Sequence, residues 1–126
     1  ANGEAAIALF SRFAPSIVLT DIKMPGMDGI ELLKRLKERN IGVVLAGMLS
    51  PPNMGADYEA AFNPIFPELA AKYQVPLIPF FLNGVAGHPD LQLQDGMHPN
   101  AKGVDVMVEN ALPLIEAEIM RLHQTQ

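Results

Sequence analysis

An aspartate stands three residues before a histidine in Asp95-Gly-Met-His98. A tight loop of that length lets the carboxylate accept the imidazole Nδ1–H. The bond fixes the ring tautomer and leaves Nε2 free to take a proton. The pair therefore predicts a general base, and a general base needs something to activate. The serine and threonine inventory is short: Ser11, Ser16, Ser50, Thr20 and Thr125, with no cysteine. Ser11 falls in a helical stretch, Ser16 begins a strand, Thr20 lies within that strand and Thr125 is in the tail. Ser50 alone falls in a loop just past a strand, at the edge of the sheet where α/β proteins bind ligands. Two readings stay open. One is a relocated Ser50–His98–Asp95 arrangement; the other is a water deprotonated by His98 or Asp21. The plainer alternatives are an Asp95/His98 loop that caps the last helix and a Ser50 hydroxyl bonded to backbone beside Pro51 and Pro52. His88, in a Gly-x-Pro turn, and His123, near the C-terminus, read as solvated.

The elements that must position these residues alternate between helix and strand. Residues 3–13 carry Ile7, Leu9 and Phe10 on a helical stripe, and Pro15 ends it. Residues 16–20 form a short apolar strand with Asp21 at its C-terminal end. The turn residues MPGMDG (24–29) lead through an Asp28 N-cap into a helix over 29–39, with Glu31 and Arg35 four apart. A second strand covers 41–47 and a loop covers 48–56. A helix over 57–73 should break or kink at Pro64 and Pro67. A third strand covers 76–81, a Gly/Pro-rich loop covers 83–99, and a last helix runs from about 100 to 122 with Pro113 interrupting it. Apolar strands without alternation imply that both sheet faces are covered. The expected fold is a single α/β domain over residues 1–126, a flavodoxin-like three-layer αβα sandwich on a short parallel sheet of about three strands. A doubly wound sheet usually has five or more strands. A homodimer that covers the exposed edge strand is therefore expected.

Composition bounds the partners. The chain has 126 residues, 49% of them apolar and 18% charged, with a formal net charge of -5. That is enough apolar mass for a core. No Lys/Arg-rich run supplies a nucleic-acid footprint, and no apolar run is long enough to span a membrane. No N-terminal signal-peptide pattern appears, so the sequence as written is expected to be cytoplasmic. Without cysteine there are no disulfides, no thiolate catalysis and no Cys-zinc site. No cofactor or metal is expected, and the acidic balance reads as a solvated surface.

Two stretches resemble known families. Residues 1–39, and above all the strand ending in Asp21 followed by IKMPGMDG, resemble the middle of a two-component response-regulator receiver domain. The resemblance implies that Asp21 is the phospho-acceptor equivalent. Of the groups that bind Mg²⁺ in that family only the backbone-carbonyl position, at Lys23, is kept, so Asp21 reads as vestigial. Residues 41–116 resemble the C-terminal half of an SGNH (GDSL-type) hydrolase of the arylesterase/lysophospholipase/thioesterase branch. The carrying phrases are VVLAGMLSPPNMGADYEAAFNPIFPELA, VPLIPFFLNGVAG and DGMHPNAKG. The last contains the family's Asp-x-x-His block, matched by Asp95 and His98. Asn53 and Pro51 match the loop that borders the family's substrate crevice, so both are candidate substrate contacts. The resemblance also implies an acyl pocket near Phe80, Phe81, Leu82 and Val85, while the residues themselves read first as core packing.

The family's Gly-Asp-Ser nucleophile block and its oxyanion groups lie upstream of the matched stretch and have no counterpart. Members of the family are often exported. The chain thus reads as a chimera with its seam near Asn40. The expected function is weak hydrolysis of short-chain acyl or aryl esters. The alternatives are an inactive chimeric folding module and, less favoured, a receiver-like interaction domain.

Overall fold

The computed structural model describes residues 3–13, 17–20 and 28–124. The element order is α1 (Gly3–Phe13), β1 (Ile17–Thr20), α2 (Gly29–Glu38), β2 (Gly42–Ala46), α3 (Ala56–Phe62), α4 (Ile65–Tyr73), β3 (Leu77–Ile78) and α5 (Ala101–Gln124). Single 3₁₀ turns cover Pro52–Met54 and Pro89–Leu91. The three strands form one sheet in the order β1-β2-β3, and both pairings are parallel.

Register and burial together assign the faces. Side chains alternate across a strand, so Val43 and Leu45 point one way from β2 and Val44 the other. Val43 and Leu45 join Leu32, Leu33 and Leu36 of α2 and Phe66 and Ala70 of α4 in one buried cluster. Val44 and Ile78 join Ala111 of α5 in a second, with Phe81, Leu114 and Ile115 packed against it. The two crossovers β1-α2-β2 and β2-α3-α4-β3 advance in the same direction along the sheet. Right-handedness then puts α2 and α4 on the same face. The helix after the last strand covers the other face.

Local chemistry sets the boundaries. Asp28 caps α2, its carboxylate accepting the N–H of Glu31 at 2.8 Å. Both helices that feed a strand end in the same way. Asn40 (φ 57°) and Gln74 (φ 52°) take the left-handed conformation. The N–H groups of Ile41 and Val75 then reach back to the carbonyls of Leu36 and Ala70, each at 3.0 Å. These are Schellman turns, and their first apolar residue beyond the turn packs into the core.

One expected break is present and two expected boundaries change. The stretch 57–73 divides at Pro64, as expected, because Pro64 has no N–H to continue the ladder; Pro67 makes no second break and is accommodated in the first turn of α4. The strand expected over 76–81 shrinks to Leu77–Ile78, since Pro76 and Pro79 flank it and neither can donate to the sheet. The last helix continues through Pro113 to Gln124 and is not interrupted there. Pro113 and Glu109, whose carbonyl loses its donor, are both exposed residues.

Candidate active site

The loop 92–99 closes on itself before α5 begins. Gln92 and Pro99 form an isolated antiparallel bridge, and the N–H of Leu93 donates to the carbonyl of His98 at 2.8 Å. Gly96 turns the chain with φ 64°, a conformation that costs a side chain and suits glycine. Inside this turn Asp95 Oδ1 accepts the backbone N–H groups of Met97 (2.9 Å) and His98 (3.0 Å). Its Oδ2 lies 2.5 Å from His98 Nδ1.

Electrostatics follow from that geometry. The His98 N–H, the His98 ring and the Met97 N–H together hold the Asp95 carboxyl down to about 2. Asp95 is thus ionised throughout the neutral range and keeps its acceptor role. The imidazole side chain is 69% exposed, and among the described residues Nε2 has no hydrogen-bond partner. A neutral ring with a proton on Nδ1 presents an open Nε2 to solvent. That is a base ready for a water or hydroxyl proton.

Asn100 ties this loop to the rest of the fold. Its Oδ1 accepts the N–H of Gly103 at 3.0 Å, capping α5. Its Nδ2 donates to the carbonyl of Asp90 at 2.8 Å, and to that of Gln92 at 3.4 Å. Its own N–H donates to the Leu91 carbonyl at 2.9 Å. One amide therefore fastens both the turn before the loop and the helix after it. Gly103 lets them approach: a Cβ there would stand 2.2 Å from the Leu91 carbonyl oxygen.

Ser50 stands past β2, as expected, but it is not hydrogen-bonded to His98. Its hydroxyl donates to the Pro51 carbonyl at 3.1 Å, and its N–H donates to Asn63 Oδ1 at 2.8 Å. Pro51 and Asn53 are exposed beside it. Asp21 lies outside the described residues. Asn63 and Asn100 were not singled out in the sequence. Asn100 had a detectable signal, an Asn just before a helix; the Asn63 contact spans 13 residues and had none. Among the described residues no three His, Asp or Glu side chains converge to hold a metal ion. No described helix is long and apolar enough to cross a membrane.

Comparison with known proteins divides the chain. The response regulator receiver domain family matches residues 1–60. Sporulation initiation phosphotransferase F of Bacillus subtilis is 49% identical over 47 residues, 36% of this chain and 38% of that protein. Esterase TesA of Pseudomonas aeruginosa is 29% identical over 130 residues, 92% of this chain and 64% of the esterase. The chain is similar to two families, the receiver likeness lying in its first half and the esterase likeness running over most of its length. In three dimensions the esterase likeness dominates. A crystal structure of TesA superposes with TM-score 0.80 and 26% identity, over 92% of this chain and 71% of that one. AlinE4, an SGNH-hydrolase family esterase, is 42% identical at TM-score 0.50, over 70% of this chain and 47% of that one. The two likenesses overlap in the first half. The chain spans less than two thirds of the length of the curated esterase.

Proposed function

We propose that this chain is a weak carboxylic-ester hydrolase in which His98 acts as general base on a water. The observation that carries the reading is the Asp95–His98 contact with Nε2 unpartnered. The likeness to esterases over most of the chain supports the same reaction class. In the first step His98 Nε2 takes a proton from water while the oxygen adds to the ester carbonyl. The tetrahedral intermediate then expels the alkoxide, which recovers the proton from the imidazolium. Asp95 stays ionised and stabilises the imidazolium without taking the proton. Ser50 is the less favoured nucleophile, because its hydroxyl hydrogen is already committed to the Pro51 carbonyl. Pro51 and Asn53 are the proposed substrate contacts of the neighbouring loop, and Asp21 is a vestigial acceptor.

The rate expected is low. Losing one oxyanion donor alone costs roughly a hundred- to a thousandfold in turnover. Activated short esters are therefore the right probes. Hydrolysis of p-nitrophenyl acetate and butyrate by the wild type, Ser50→Ala and His98→Ala tests the reading. Turnover lost only in His98→Ala supports water attack. Loss in both variants moves the nucleophile to Ser50. A wild-type rate no higher than free imidazole would make the chain an inactive folding module.

The same reading places the three strands as the last three of a flavodoxin-like 2-1-3-4-5 sheet. The edge at β1 is then covered by a second copy in a homodimer. Light scattering that finds a stable folded monomer at micromolar concentration would refute the dimer.

A further inference from the structure

We infer that a groove along α5 is an acyl-chain site that opens beside His98, which deepens the esterase reading and rests on it. The groove has a volume of about 190 Å³ and no polar or charged side chain lines it. Its head lies at Phe81 and Pro99, and Pro99 is the residue next to His98. Met107 and Ala111, both buried, lie along its floor, and Ile115 lines it further down the helix. The exposed lining is Val104, Val108 and Leu112, spaced one helical turn apart on one face. These three are 45%, 54% and 45% exposed, a continuous apolar stripe rather than scattered residues.

Size and charge choose the occupant. At about 30 Å³ per water-sized group, the volume takes about six methylenes. The next positions around the helix carry Asp105, Glu109 and Glu116, with Lys102 the one cation on that side among the described residues, so a net acidic rim borders the stripe. Such a rim disfavours a fatty carboxylate and tolerates the neutral chain of an uncleaved ester. Hydrolysis creates a carboxylate at the head of the groove, and like-charge repulsion then assists release of the product. The groove is distinct from the pocket expected near Phe80, Phe81, Leu82 and Val85. It shares only Phe81, while Val85 is fully buried behind Gly103.

Two measurements test this. The first needs no activity. Octyl glucoside, a neutral amphiphile, is titrated below its micelle concentration into protein with labelled Val and Leu methyl groups. Shifts at Val104, Val108 and Leu112, with decanoate weaker than octyl glucoside, are expected. Shifts elsewhere, or none, overturn the site even if esters are hydrolysed. The second is the dependence of kcat/KM on acyl length from acetate to decanoate.

Full burial of a methylene contributes about fourfold, and a groove open on one side about twofold. The octanoate-to-acetate ratio should reach about 60, then level off for decanoate. Val108→Asp should bring that ratio near one; the position is exposed, so the variant folds, and Val108→Ser gives a second reading. A flat wild-type profile overturns the proposal. So does a dimer that Val108→Asp splits while the chain-length profile stays unchanged, since the stripe is then a subunit interface. Absence of any turnover refutes the esterase function, and the octyl glucoside titration still decides the groove.

Discussion

Asn100→Ala should loosen the loop that carries the general base. The side chain contributes a cap to α5 through Gly103 and a 2.8 Å bond to the Asp90 carbonyl. The cap is worth about 1 kcal/mol, and the second bond about 1 kcal/mol net. The 3.4 Å contact to the Gln92 carbonyl adds little at that length. The loss is therefore about 2 kcal/mol. An unfolding entropy of about 2.1 cal/mol/K per residue over the 126 residues converts this to a fall in Tm of about 7–8 °C. Asn100→Asp keeps an oxygen for the cap and adds a favourable charge at the helix N-terminus, so it should lose about half as much. Urea and thermal unfolding read the stability. Nitrogen NMR of His98 reads the function: in wild type the neutral ring carries its proton on Nδ1, and in Asn100→Ala that preference weakens. A variant within about 0.5 kcal/mol of wild type, with the His98 tautomer unmoved, would refute the clamp.

The other expectations are quicker to state. Gly103→Ala sets a methyl 2.2 Å from a backbone oxygen and should cost about 3 kcal/mol despite better helix propensity, read by urea unfolding. The Asp95 carboxyl should titrate near 2 by carbon NMR. Because its folded value is depressed, its contribution to stability is complete above the ordinary carboxylate range and disappears as pH falls through about 2. A midpoint near the ordinary value of about 4 would break the argument. Arg121→Met leaves the buried Glu118 carboxylate without its two bonds, at 2.7 and 2.9 Å, and should lower the urea midpoint, by less than a fully buried pair would because the arginine is half exposed. Adding Glu118→Leu should recover most of that loss, and a double mutant as unstable as the single would count against it. Asn40→Val forces a β-branched residue into the left-handed conformation and should cost about 1–2 kcal/mol in the same assay, whereas Asn40→Gly should be neutral or better.

Patterning exposed much of this fold in the sequence, and proline chemistry explains most of the departures. The strand 42–46 sits within the expected 41–47, because Val43, Val44 and Leu45 are apolar on both faces and both faces are covered. The expected strand 76–81 looked equally apolar, yet apolarity does not supply hydrogen-bond donors, and its flanking prolines leave two residues in the ladder. The Asp95–His98 contact was legible because it is local, closed by a three-residue spacing. Asn63 holding the Ser50 N–H was not legible, because nothing local in either residue's neighbourhood specifies a bond 13 positions away. The groove on α5 was hidden for another reason. Its stripe resembles an ordinary core face, and only three-dimensional packing reveals that Val104, Val108 and Leu112 are uncovered.

We propose that the turn at Asn40 is what lets a receiver-like segment and an esterase-like segment meet there. A helix needs its last carbonyls satisfied before the chain can leave for the sheet. At Asn40 the left-handed residue does this with backbone groups alone: the N–H of Asn40 takes the Lys37 carbonyl and that of Ile41 takes the Leu36 carbonyl. The same device stands at Gln74, wholly within the esterase-like stretch, where the N–H groups of Gln74 and Val75 reach Ala71 and Ala70. The demand on each side of the turn is generic. Before it comes a helix with an apolar stripe, after it an apolar residue and a strand. Leu36 and Ile41 meet that demand across the Asn40 turn as Ala70 and Val75 meet it across the Gln74 turn. β2 then faces α2 through Val43 and Leu45 and α5 through Val44, so the strand after the Asn40 turn packs against helices on both faces of the sheet. A fold assembled from repeated helix–turn–strand units imposes the same boundary conditions at every such turn, and exchange at one of them leaves the packing rules on either side unchanged.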